Sequence, residues 1–212
     1  MVWLSALLVS LPVFLQAPWV RLAPISALLF TAPLLAVGIS LGCAAPRRWQ
    51  QLGVLLVGFS GSWLAGCIFW GWCRMHPLWH LPIEAIALPL ALAGLGSRWR
   101  QAGAFYLGSL AGTACTDAVM AISGIMPLWP AVLAANPADA ALLLQQAAQQ
   151  VCTPLPLLTV LLAAWGMLSL SRWLWRQDSA LRLAGAALAT TLVVDGLFLL
   201  LALLAPGLSG LI

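Results

Sequence analysis

Seven apolar stretches occupy almost the whole of this chain, and its arginines stand only in the gaps between them. Every basic residue is an arginine, nine in all, and seven of them fall in alternate gaps. A chain with this pattern has few ways to fold. With 63% hydrophobic and 7% charged residues, it lacks the polar surface of a water-soluble domain, which carries roughly a quarter charged residues. In a bilayer the constraint inverts: backbone groups must be satisfied within each segment, and lipid-facing side chains must be apolar. The expected fold is therefore all-α, a polytopic bundle of six or seven transmembrane helices forming a single integral membrane domain over residues 1–212.

A spanning helix needs about twenty apolar residues. The run Val2 to Leu15 is short and is followed by Gln16-Ala17-Pro18-Trp19-Val20-Arg21, an interfacial pattern that stops it, so it either just spans or is re-entrant. It lacks the basic start and the cleavage site of a signal peptide and is expected to be retained. Later runs are Ala23–Cys43, kinked at Pro33, then Leu52–Cys73, Leu78–Gly96, Gly103–Met126, Val151–Leu170 and Leu183–Leu204. Between the fifth and sixth lies a polar-tolerant segment. Its Ala138–Gln150 part can form a short amphipathic outer helix on the membrane surface, with Asn136 and Pro137 as cap and first-turn residues.

The gaps 44–50, 97–102 and 171–182 hold two, two and three arginines, against Arg21 and Arg74 on the opposite face. The positive-inside rule makes the first set cytoplasmic. With seven spans the N-terminus is then cytoplasmic too. Arginines at helix ends set topology, so no nucleic-acid partner is expected. The partner implied is the lipid bilayer, with a small solute or ion as candidate cargo. Protein partners are unknown. The five cysteines form no CxxC or zinc-like spacing; Cys73 and Cys152 fall at the same, outer face of the expected topology, where a disulfide could join them.

Three carboxylates interrupt the apolar runs: Glu84, Asp117 and Asp195. Each costs roughly 2.5–3.5 kcal/mol to insert, and such groups usually face the bundle interior. All three fall in the middle to outer half of the membrane and can form one cluster. Thr113 and Thr116 beside Asp117, and Thr190 and Thr191 before Asp195, are natural hydrogen-bond partners, so the carboxylates also suit interhelical packing. His76, His80 and Glu84 are spaced i, i+4, i+8, which on a continuous helix would align them as ligands for Zn²⁺ or a similar ion. Pro77 and Pro82 weigh against that alignment. As an alternative, the histidine pair could titrate near neutral pH at the outer mouth. Gly38-x-x-x-Gly42 and Gly108-x-x-x-Gly112 permit close helix packing.

Phe69-Trp70-Gly71-Trp72 leading to His80-Leu81-Pro82-Ile83-Glu84-Ala85, the stretch Phe105 to Asp117, Val194-Asp195-Gly196-Leu197-Phe198, and Gln16-Ala17-Pro18 together resemble a family of uncharacterised cyanobacterial multi-pass integral membrane proteins, a domain of unknown function. The resemblance implies a bacterial plasma membrane or thylakoid location and implies no activity. No Walker, GxSxG, HExxH or Rossmann fingerprint occurs. No cofactor is expected, and enzymatic function is disfavoured. The residues thus point first to a small transporter using Glu84, Asp117 and Asp195 with His80, His76, Thr113 and Thr116. A structural or assembly factor of a membrane complex, photosynthetic if the resemblance holds, is the alternative. An intramembrane metal or redox enzyme is the third reading.

Overall fold

The computed structural model describes residues 1–208, the side chain of Arg47 apart. Among the described residues there is no strand. Seven helices among the described residues are long and apolar enough to cross a membrane: α1 Val2–Leu22, α2 Pro24–Ala44, α3 Arg48–Cys73, α4 Pro77–Gly94, α5 Arg100–Ile122, then α7 Pro154–Trp175 and α8 Ser179–Leu204. The amphipathic helix α6, Pro137–Val151, lies between the fifth and sixth spans. These lengths and compositions are those of an integral membrane protein.

The spans differ from the apolar runs at their ends. Helix α3 begins around Arg47, not at Leu52, and α5 begins at Arg100. The arginines expected in loops occupy first turns, because a helix continues beyond the apolar run while its charged heads reach polar surroundings. At the start of the chain Pro18 does not stop the helix. The backbone stays right-handed helical through a π-turn at Pro12–Gln16 and on to Leu22. A π-turn shifts the register by one residue and absorbs the missing proline donor. The first segment is therefore a full 21 residues, long enough to span.

Proline acts as expected in α2. Pro33 lacks the N–H that Leu29 would receive, and the helix is interrupted at Phe30. Helix α4 is broken more severely. A 3₁₀ turn Pro77–Trp79 leads into His80–Glu84, a turn covers residues 85–87, and Leu88–Gly94 completes the span. Helix α5 stops at Gly124, whose φ of 69° closes a left-handed cap in which Ile125 N–H donates to Met120 O and Gly124 N–H to Ala121 O.

Small residues fix the packing. A Cβ on Gly53 of α3 would meet Gly42 N of α2 at 2.3 Å, and one on Gly108 of α5 would meet Ala184 O of α8 at 2.5 Å. Only glycine permits these backbones to approach so closely. Trp63 of α3 is 1% exposed, donates to Ala27 O at 3.0 Å, and packs against Trp19, Phe30 and Phe59. Outward faces are apolar and exposed, such as Leu161, Leu162 and Trp165 of α7, as lipid contact requires.

The three arginine-bearing segments meet at one end of the bundle. Arg100 of α5 donates to Asp178 at 2.6 Å, and Arg98 reaches Cys43 Sγ at 2.5 Å. The opposite end carries Arg74, whose carbonyl accepts from Trp129 Nε1 at 2.8 Å, and α6, which Gln150 ties to Ser123 O at 2.9 Å.

Candidate functional site

A cavity of about 480 Å³ lies in the half of the bundle opposite the Arg100–Asp178 pair, and Glu84, Asp117 and Asp195 all line it. They come from three different helices, α4, α5 and α8. His80, Thr113 and Thr116 share the same wall. Six of the seven residues singled out in the sequence are thus brought together.

His76 is not. It sits just before the 3₁₀ turn of α4 with φ −122° and ψ 79°, outside helical geometry. It lines a separate hollow with Met75, Trp79 and Pro127. The i, i+4, i+8 alignment of His76, His80 and Glu84 therefore fails, because Pro77 starts a new turn after a non-helical residue. Among the described residues no group of three His, Cys, Asp or Glu side chains could hold a metal ion. All five cysteines are free, so Cys73 and Cys152 are not paired.

Within the cavity the carboxylates are in three different states of partnership. His80 Nδ1 lies 2.9 and 3.1 Å from the two oxygens of Asp117. The side chains are 24% and 13% exposed, so this pair is shielded but reachable. The His80 ring also stacks on Phe69, centroids 4.4 Å apart, which fixes its orientation. Thr116 Oγ is 2.5 Å from Asp195 Oδ2 and 3.1 Å from Gly112 O. A hydroxyl has one proton, so it cannot donate fully to both acceptors. The Glu84 carboxylate has no hydrogen-bond partner among the described residues. Thr113 lines the wall, and Thr190 and Thr191 bond to backbone carbonyls of their own helix rather than to Asp195.

Irregular backbone gathers at this cavity. Pro12, Val13 and Gln16 come from the π-turn of α1, Phe69 and Trp70 from the π-turn that ends α3, and His80 and Glu84 from the broken α4. Departures from the α-helix re-aim side chains and are frequent at functional positions. Non-helical backbone at membrane depth survives only where protein or a cavity satisfies it.

Two residues here escaped the sequence reading. Tyr106, the one tyrosine of the chain, receives Ala87 N–H at 3.2 Å and donates to the Glu84 carbonyl. Its hydroxyl thus bridges the break in α4. Gln16 is fully buried; its Nε2 donates to Trp63 O at 2.5 Å and contacts Cys67 Sγ at 3.1 Å, while its Oε1 has no partner. A lone amide after Phe14-Leu15 is a polar residue in an apolar run, and that signal could have found it. Helix α6 is also reassigned. Capped by Asn136 as expected, it does more than lie on a surface: Leu144, Ala147, Ala148 and Val151 form the cavity's roof. Trp129 is a wall residue whose ring lies tilted against Trp70, centroids 5.5 Å apart.

Seven apolar spans around a carboxylate-lined cavity define a multi-pass helical membrane protein. The chain matches the family described as "Protein of unknown function (DUF3120)" over residues 5–203, and it belongs to that family. No curated protein and no solved structure matches it.

Proposed function

We propose that this protein is a small carrier, moving a solute or ion that reaches the cavity and engages Glu84, Asp117, Asp195 and His80. The observation that carries this reading is the convergence of three membrane carboxylates from three helices on one cavity. Intramembrane carboxylates that face a cavity rather than lipid commonly mark solute and proton pathways, and broken helices at mid-membrane are where transporters build sites. The His80–Asp117 pair supplies a proton-exchanging couple within the wall. Thr113 and Thr116 serve as neutral hydrogen-bonding groups of the same site, and His76 stands outside it. The arginine-rich end is taken as cytoplasmic, so the cavity loads from the other side of a bacterial plasma or thylakoid membrane. The whole chain acts as one membrane domain.

The alternative, a structural or assembly factor, draws support from the Thr116–Asp195 bond, which ties α5 to α8 as interhelical glue does. Solute and proton flux into proteoliposomes distinguishes the two. Asp117→Asn and Glu84→Gln should each lower flux about tenfold to hundredfold, the equivalent of one hydrogen bond to a charged group, with folded yield unchanged. Absence of flux for every solute, with variants that fail to fold, would move the assignment to the structural role.

A further inference from the structure

We infer that the cavity takes an organic monocation, an amine with an apolar or aromatic body, whose ammonium group is received by Glu84. The inference rests on the reading of the cavity as a solute site and names the class of solute. Charge comes first. Three carboxylates and one histidine line the cavity, and none of the nine arginines does. An anion would meet three carboxylates there and no arginine, with the one histidine already turned to Asp117. Two of the carboxylates already have partners, His80 for Asp117 and Thr116 for Asp195. Glu84 alone has no hydrogen-bond partner on either oxygen among the described residues.

Gln16 is a further polar residue of the lining. It is 0% exposed and lines the same cavity, yet its Oε1 has no hydrogen-bond partner. Buried acceptors are nearly always paired, so this amide oxygen lacks a donor. An ammonium or other N–H group in the cavity answers the free Glu84 carboxylate, while the Gln16 oxygen packs against Gly66 of α3.

The rest of the cavity suits an apolar body. Phe69 and Trp70 meet edge to face and Trp70 and Trp129 at a tilt, with centroids 5.4 and 5.5 Å apart. Aromatic faces attract cations. Met120 and Met126 add adaptable apolar wall. At about 480 Å³ the space falls within the range of small-molecule sites, about 300–1,000 Å³. A hard metal cation is a poor match, because it requires about six or more oxygens at close range, and no group of three ligating side chains is present among the described residues.

The test uses the full chain in zwitterionic lipid nanodiscs, with radiolabelled phenethylamine as probe and empty nanodiscs subtracted. Phenylacetate and Mg²⁺ serve as competitors. Saturable binding is expected, competed by other amines from methylamine to tryptamine and by neither phenylacetate nor Mg²⁺. Glu84→Gln should weaken it about tenfold to hundredfold, and Trp70→Leu about three- to thirtyfold. Asp139→Asn, on the exposed start of α6, should leave it unchanged. If Glu84→Gln lowers the yield of folded protein, Trp129→Leu, in the same wall, is the second variant and should weaken binding about three- to thirtyfold as well. The inference is overturned if no amine of the series binds, if phenylacetate or Mg²⁺ competes, or if binding persists at full strength in the variants. Amine binding without flux would sustain this inference and overturn the carrier reading. Proton or ion flux without amine binding would do the reverse.

Discussion

The break in α4 depends on one hydroxyl, and Tyr106→Phe isolates its contribution. In a regular helix Ala87 N–H would bond Ile83 O, and Glu84 O would receive Leu88 N–H. Here Ile86 N–H takes Ile83 O at 3.1 Å, and Leu88 N–H takes Ala85 O at 2.9 Å. That leaves a donor and an acceptor facing each other, and the Tyr106 hydroxyl inserts between them. Phenylalanine keeps the ring, which is 2% exposed and packed beside Gly61, and removes only the bridge. Each buried backbone group left unpaired costs about 1–3 kcal/mol. Glu84 lines a cavity that can admit water, which places the sum near the low end, about 2–4 kcal/mol for the pair. The assay is equilibrium unfolding of wild type and variant in the same detergent, with helicity followed by circular dichroism. Two results would refute the argument. A cost below about 0.5 kcal/mol would mean the two groups find each other directly. A gain in stability would mean the hydroxyl strains the turn instead of satisfying it.

Close packing makes a sharper contrast between glycines. Gly108→Ala puts a Cβ 2.5 Å from Ala184 backbone and should cost about 1–3 kcal/mol by overpacking. Gly196→Ala on the same helix pair meets nothing within 4 Å and should gain about 0.5–1 kcal/mol in helix propensity. The same unfolding measurement checks both, and equal effects would contradict the packing geometry. At the arginine end, the Leu181 backbone N–H, with the Arg100 guanidinium and the Ala180 N–H, holds the Asp178 carboxyl below the usual carboxylate range. A depressed carboxylate contributes stability that is present above its unfolded pKa, about 4, and lost as pH falls through the folded value. Stability should therefore decline below about pH 4, and Asp178→Asn should flatten that acid limb while weakening the α5–α8 link. An unchanged acid limb would show that the pair contributes nothing.

The spans were legible because their signal is compositional: twenty apolar residues with arginine at the ends require no knowledge of neighbours. The three carboxylates were legible for the same reason, since any ionisable group in such a run stands out. Their convergence was a matter of depth along each helix, which the sequence supplies, and of facing direction, which it does not. The His80–Asp117 contact joins positions 37 apart, and Tyr106 reaches 22 residues back to Glu84. Neither has a local signature, because a tyrosine in Ala-Phe-Tyr-Leu is as good a packing residue as any. Pro18 misled for the opposite reason. Local chemistry said stop, and a π-turn five residues long carried the helix past it. The failed alignment of His76 shows where a local rule did win, at Pro77.

Those irregularities share one consequence. A bundle of seven straight apolar helices, joined by glycine contacts such as Gly53–Gly42 and Gly108–Ala184, would close to interior density and leave no room for a cavity. Space remains because α1, α3 and α4 each depart from the α-helix where they border it. Every departure frees backbone groups that a membrane cannot solvate, so each needs a local partner. At α4 that partner is Tyr106, placed by α5, the same helix that carries Asp117 and Thr116. The broken helix and the carboxylate wall are therefore mechanically joined through α5. Any shift of α4 that straightens its turn must break the tyrosine bridge. It must also move His80, four residues before Glu84, relative to Asp117. In the carrier proposed above, this bridge would couple the site to any movement of α4.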